Sequence, residues 1–151
     1  MRNGDARTVA ELVHAHHREP DGTPLLRHIE RVVRATPPEA RPIAWLHEAL
    51  EWGAITEQEL LMRGLTDDGL RALRLVTHPF PWRTARAYLA HVELIARASG
   101  GAGRLARMVK IADLQDRRRH PDVRLDGWTP PYDRALERLR SAELMVDGAA
   151  A

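Results

Sequence analysis

Residues 43–51 read Ile-Ala-Trp-Leu-His-Glu-Ala-Leu-Glu, and this stretch constrains the chain more than any other. Laid on a helix, Ile43, Leu46 and Leu50 recur at i, i+3 and i+7 and make an apolar stripe. His47 and Glu51 are four apart and Glu48 lies three before Glu51, so an imidazole and two carboxylates fall on an adjoining stripe. Unpaired buried charge is costly, so such groups go inside only with a metal, a partner charge or water. For a lone His-Glu pair, a solvated helix face is the simpler reading. What accompanies the pair elsewhere in the chain decides between the two.

The chain has 151 residues, the length of one domain (1–151), and is long enough to bury a core. Aromatic residues make up only 5%, so that core must be built mostly from Leu, Ala and Val. Ala, Leu, Arg and Glu are strong helix formers, and an all-α fold is predicted. The formal charge is +2, and 22 of the 23 basic residues are arginine, Lys110 being the one lysine. Near-balanced charge and few aromatics argue against a nucleic-acid platform. With no cysteine, disulfides and thiolate metal sites are excluded. No apolar run reaches the ~18 residues of a membrane span and no signal-peptide core opens the chain, so a cytoplasmic location without membrane contact is expected.

In chain order, Asp5 is expected to cap a helix running to about Arg18, followed by a Glu-Pro-Asp-Gly-Thr-Pro loop over 19–24. A second helix presents Leu25, Leu26, Ile29, Val32 and Val33, with His28 beside them. Thr36-Pro-Pro-Glu39 has the form of a capping box and should open the central helix, which Gly53 ends. Thr56 with Glu59 repeats the pattern, and Thr66 opens a helix closed by Pro79. His78-Pro-Phe-Pro-Trp82 should form a rigid loop at the mouth of a site. Helices from Thr84 to Ala98 and from Ala102 to Arg119 are separated by Gly100-Gly101. Thr129-Pro-Pro caps a last helix to about Val146, ahead of a frayed Ala-rich tail. Neither strand alternation nor an internal repeat is present. The expectation is a single-domain bundle of seven or eight helices.

Three separated stretches together resemble the HD superfamily of metal-dependent phosphohydrolases, above all its small branch that hydrolyses alarmones. His14, Gly22-Thr-Pro24 and His28 reproduce the spacing of its first histidine, loop and ligand histidine. His47-Glu48 looks like the His-Asp doublet, Glu51 like the first of two downstream acids, and Lys110-Ile-Ala-Asp113 like the late K-x-A-D motif. Tyr88 resembles the tyrosine of the preceding helix. Four departures stand out: Glu48 for Asp, Trp52 for the second acid, Arg117 for Asn, and Pro20 for a basic residue.

The resemblance implies an HD-type bundle in which three helices converge on a divalent ion held by His28, His47, Glu48 and Asp113. Two imidazoles and two carboxylates without sulfur suit Mn²⁺, the foremost expectation, and also Fe²⁺, Ni²⁺ or Zn²⁺. Such an ion lowers the pKa of water for attack at phosphorus. Glu51 and Lys110 are the expected catalytic groups, and His14, Tyr88 and Arg117 the substrate-binding ones. The expected substrate is a small phosphorylated molecule, a nucleotide or a guanosine tetraphosphate-like alarmone. A catalytically silent HD-like domain that binds a nucleotide or a protein is the second expectation. The order His-Glu-x-x-Glu excludes the zinc-protease signature, which needs histidine at position 51. Arg104, Arg107 and Arg117–Arg119 either grip phosphate or form a solvated helix end. His78, His91 and His120 are expected to be structural, and the leucines of the last helix leave a homodimer open.

Overall fold

A computed structural model of the protein describes residues 1–78, 84–121 and 128–149, with side chains through Met145. Eight α-helices follow one another among them. They are α1 (Asn3–Val13), α2 (Leu25–Ala35), α3 (Arg41–Leu46), α4 (Glu57–Met62), α5 (Asp67–Val76), α6 (Ala85–Arg97), α7 (Gly100–Arg119) and α8 (Tyr132–Ala149), with a 3₁₀ turn at Pro38–Ala40. No strand occurs among the described residues, only an isolated bridge between Arg18 and Pro24. The all-α expectation holds. No helix described is long and apolar enough to cross a membrane.

The pivot is α7, which packs against α2, α3, α5, α6 and α8. Its sequence explains that position: Ala102, Ala106, Val109, Ala112 and Leu114 are all buried, but so are Arg107, Lys110, Asp113 and Asp116. A helix buried nearly all round belongs at the centre of a domain. The core around it joins Leu25, Ile29 and Val32 of α2, Ile43 and Leu46 of α3, Leu70 and Leu73 of α5, Val92 and Ile95 of α6, and Leu136 and Leu139 of α8. Trp45, also buried, donates from Nε1 to Asn3 Oδ1 at 3.1 Å and so ties α3 to α1.

Local signals were right at several starts. Thr56 and Glu59 form a reciprocal capping box on α4, and the hydroxyls of Thr66 and Thr84 accept from Gly69 N and Ala87 N. Five boundaries differ from expectation. Asp5 is not the cap but the third residue of α1, its carboxylate accepting from Arg2 N, and α1 stops at Val13 rather than near Arg18. Thr36 opens nothing: its hydroxyl donates to Val32 O at 2.7 Å and terminates α2. The central helix is only six residues long, because His47 folds back so that Nδ1 donates to Ala44 O at 2.7 Å. Turns then carry the chain to Gly53, whose φ of 61° suits the absence of a Cβ. The fifth boundary is that Gly100-Gly101 opens α7 instead of preceding it. The Pro79–Trp82 part of the expected rigid loop and the tail beyond Ala149 lie outside the described residues.

The α6–α7 corner is tight. Arg107, itself buried, donates from Nη1 to Ala98 O at 2.6 Å and pairs with Glu143 of α8. A Cβ on Gly103 would come within 2.1 Å of Ala98 O. Replacing a helical glycine by alanine ordinarily stabilises by about 0.5–1 kcal/mol. Gly103→Ala should reverse that sign and destabilise by at least the ~1–3 kcal/mol of an overpacked site. Urea unfolding of the wild type and the variant measures the difference, and a gain in stability would contradict this packing.

Candidate metal centre

His28 sits on the buried face of α2 with Leu25, Ile29 and Val32, and is 1% exposed. His47 follows the last turn of α3, and Glu48 is the next residue of the turn. Asp113 comes from the middle of α7. Separate elements, 85 residues apart along the chain at the extremes, thus bring His28, His47, Glu48 and Asp113 together, with one ligand-type atom from each lying within 4.8 Å of every other.

The distances converge on a point. His28 Nε2 lies 3.2 Å from His47 Nε2, 3.3 Å from Asp113 Oδ1 and 3.6 Å from Glu48 Oε1. His47 Nε2 lies 3.5 Å from the same Glu48 oxygen and 4.0 Å from Asp113 Oδ1. Donors around one divalent ion, each ~2.0–2.2 Å from it, stand roughly 3.0–4.2 Å apart. Asp113 Oδ1 is buried and accepts no hydrogen bond of regular geometry. Its partner oxygen takes the Lys110 ammonium at 2.8 Å. A buried carboxylate oxygen without a donor, facing two imidazole nitrogens, fits a divalent cation.

The outer ring orients these groups. His47 Nδ1 donates to Ala44 O, leaving the Nε2 lone pair pointed inward. His28 Nδ1 is 2.7 Å from Asp116 Oδ2, and Arg31 clamps Asp116 with contacts of 2.6 and 3.0 Å. Carboxylates behind histidines in this manner fix ring orientation and raise ligand basicity. Trp52 donates from Nε1 to Glu48 Oε2 at 3.1 Å. Arg117 reaches across the mouth, with Nη1 2.9 Å from both oxygens of Glu19 and Nη2 3.1 Å from Glu48 Oε1.

Charge and burial set the protonation. Burial pushes Glu48 up, but His47, Arg117 and His28 outweigh it and bring its carboxyl down to about 2. Burial likewise works against ionised Asp113, yet Lys110 and the two histidines hold it well below the carboxylate range. His28 would be lowered by burial; the carboxylates of Asp113 and Asp116 on either side of it reverse this and raise it to about 9. His47 is lowered, chiefly by burial. Glu51 stands outside the four-donor group, its Oε1 3.3 Å from His78 Nε2. Desolvation in the cleft, then the charge of Glu48, pushes it up to about 8.

These groups open on a cavity of about 680 Å³. Its walls include His47, Glu48, Glu51, Lys110, Asp113, Tyr88 and Arg117 among the residues expected to act. Arg18, Glu19, Trp52, His78 and Tyr132 line it as well. His14 does not line it: it is 1% exposed, packed behind His17, with Nδ1 2.8 Å from His17 Nδ1. Burial first and His17 second lower His14 to about 4. Arg104 and Arg107 are not part of a phosphate grip, since they pair with Glu39 and Glu143, and Arg118 pairs with Asp133. Among the three histidines expected to be structural, His78 faces Glu51 and His120 lies 3.3 Å from Asp116, whereas His91 bonds Leu75 O. Asp116 and Glu19 were not singled out in the sequence; His78, expected to be structural, opens the loop expected at the mouth of a site and does line the cavity.

A helical fold with a buried His-His-Glu-Asp group is compatible with an HD-like bundle. No protein-family model matches the chain, and no curated protein matches it either.

With pKa raised to about 9, His28 carries a proton at neutral pH. An ion needs the Nε2 lone pair, so metal uptake should release a proton. Affinity for a divalent ion should therefore rise with pH and level off above about 9. Calorimetry in buffers of differing ionisation enthalpy counts the proton. Uptake without proton release at neutral pH would contradict the assignment of His28.

Proposed function

We propose that the protein is a metal-dependent phosphohydrolase acting on a small phosphorylated molecule, with a nucleotide or a guanosine tetraphosphate-like alarmone as the leading substrate class. The observation that carries this reading is the convergence of His28, His47, Glu48 and Asp113, the last three of which line a cavity of about 680 Å³ with His28 buried behind them. Pockets of ~300–1,000 Å³ hold small molecules. When bound, a divalent ion supplies water of lowered pKa and polarises a phosphoryl oxygen. Mn²⁺ is our first choice for it, and Fe²⁺, Ni²⁺ and Zn²⁺ suit the same donors.

The chain's own groups divide the remaining work. Glu51, with pKa raised to about 8, exchanges a proton in the neutral range, as a general acid or base must. Lys110 holds Asp113 ionised and, at the cavity wall, offers an ammonium to a phosphoryl oxygen. Arg117 presents a guanidinium suited to a phosphate fork, and substrate would replace part of its contact with Glu19. Tyr88, Trp52 and Tyr132 give the cavity aromatic wall for a base or another flat group.

One observation favours the second reading, a catalytically silent HD-like domain. Arg117 already neutralises Glu48, one of the four donors, at 3.1 Å. Elemental analysis of purified protein separates the two readings. Stoichiometric divalent metal with hydrolysis in a screen of phosphorylated compounds supports the enzyme; absence of both supports the binding domain.

Glu51→Gln should retain the ion and lose about 10²–10⁴-fold in turnover, the usual cost of removing a positioned acid–base group. Metal titration alongside steady-state kinetics on a substrate found by screening makes the comparison. Equal turnover in the two proteins would take Glu51 out of the mechanism.

A further inference from the structure

Two of the sequence's departures from the HD pattern, Glu48 and Trp52, meet in the structure. Trp52 lies four residues after Glu48, and its backbone N–H donates to Glu48 O at 3.0 Å. Its indole N–H then donates to Glu48 Oε2 at 3.1 Å. The other oxygen, Oε1, accepts from Arg117 Nη2 at 3.1 Å and stands 3.5 and 3.6 Å from the Nε2 atoms of His47 and His28. The two oxygens of one carboxylate are therefore committed to different sides.

The indole is itself held. His17 stacks on it with ring centroids 4.4 Å apart and planes at 23°. His17 in turn meets the buried His14 through their Nδ1 atoms at 2.8 Å. A ring 42% exposed to solvent thus keeps its polar edge turned inward on Glu48. The chemistry gives that contact a purpose. Glutamate has one more rotatable bond than aspartate, and an unsupported carboxylate at its end samples several positions. A fixed donor on the far oxygen removes that freedom.

We propose that Trp52 is the positioning residue of Glu48: its indole N–H takes Oε2 and aims Oε1 at the point where His28, His47 and Asp113 converge. The longer acid and the tryptophan are then one coupled device, in which neither works without the other. The inference rests on the reading of the four donors as a metal centre. It adds that ligand geometry there depends on a residue occupying the place of an expected acid.

The test is a Zn²⁺ titration of the wild type, Trp52→Phe, Glu48→Asp and the double variant. Phenylalanine keeps an aromatic ring for His17 and removes the donor, along with some ring area. Trp52→Phe should weaken Zn²⁺ binding about 10–100-fold, the usual effect of removing an outer-ring contact. Glu48→Asp should also weaken it, since the shorter acid cannot span from the indole to the ion. In that background Trp52→Phe should change nothing further. Wild-type affinity in Trp52→Phe, or the same loss in both backgrounds, overturns the positioning role. A wild type that binds no Zn²⁺ or Mn²⁺ overturns the metal-centre reading and this inference with it, so the two failures are distinguishable. A measurement on the unmodified protein guards against a variant that does not fold. Zn²⁺ should shift the indole ¹H–¹⁵N resonance of Trp52 while leaving that of Trp45, bonded to Asn3, in place. An unmoved Trp52 resonance overturns the proposal.

Discussion

Three carboxylates are taken out of water within one small region, and the arrangement of the helices follows from the need to match them. Glu48, Asp113 and Asp116 are each less than a tenth exposed. An isolated ionised carboxylate in such surroundings is too costly to survive folding. Lys110 answers Asp113, Arg31 and His28 answer Asp116, and Arg117 answers Glu48. Four of these groups, Lys110, Asp113, Asp116 and Arg117, belong to α7 and advance along it by three, three and one. One inward stripe therefore carries both the charge and its compensation, and α2 and α3 pack against it with their histidines turned the same way. Taking away one partner of such a set strands the other, which is why its members act together.

The same electrostatics separates the roles that otherwise similar residues play. Glu48 and Glu51 are three residues apart, yet one is brought down to about 2 and the other pushed up to about 8. Glu48 faces two imidazoles and a guanidinium; Glu51 feels the negative charge of Glu48 and has His78 for a neighbour. Pairs of acids driven apart in this way are a mark of sites that move protons.

Much of this was readable in advance, and for identifiable reasons. Helical spacing placed α2, α5 and α6 because their apolar stripes are wide, and the threonine caps of α5 and α6 work through local contacts. The cluster of His28, His47, Glu48 and Asp113 was reached through motif spacing, whose order along the chain survives even where one acid is exchanged. The failures are of another kind. Thr36 has the surroundings of a cap but bonds backward to Val32, and His47 ends α3 by bonding Ala44, so a continuous stripe did not yield a continuous helix. Glu19, Asp116, His78 and Trp52 take their importance from partners in other elements or from the curl of a turn. Pairing across 98 residues, as between Glu19 and Arg117, leaves no trace in local spacing. The arginine cluster left two readings open, and it divides between them: Arg117 lines the cavity, while Arg104, Arg107 and Arg118 are dispersed to Glu39, Glu143 and Asp133.

The break in α3 has a consequence for how the centre breathes. Asp113 and Asp116 stand on a helix enclosed by five others, so their backbone amides exchange with solvent only when the whole domain opens. Glu48, Glu51 and Trp52 stand on successive turns outside any helix, with a few hydrogen bonds of their own. Local opening reaches that segment first. One half of the centre is thus a fixed wall and the other a separately melting edge, and a ligand that closes on both would show its presence as slowed amide exchange over 47–53 alone.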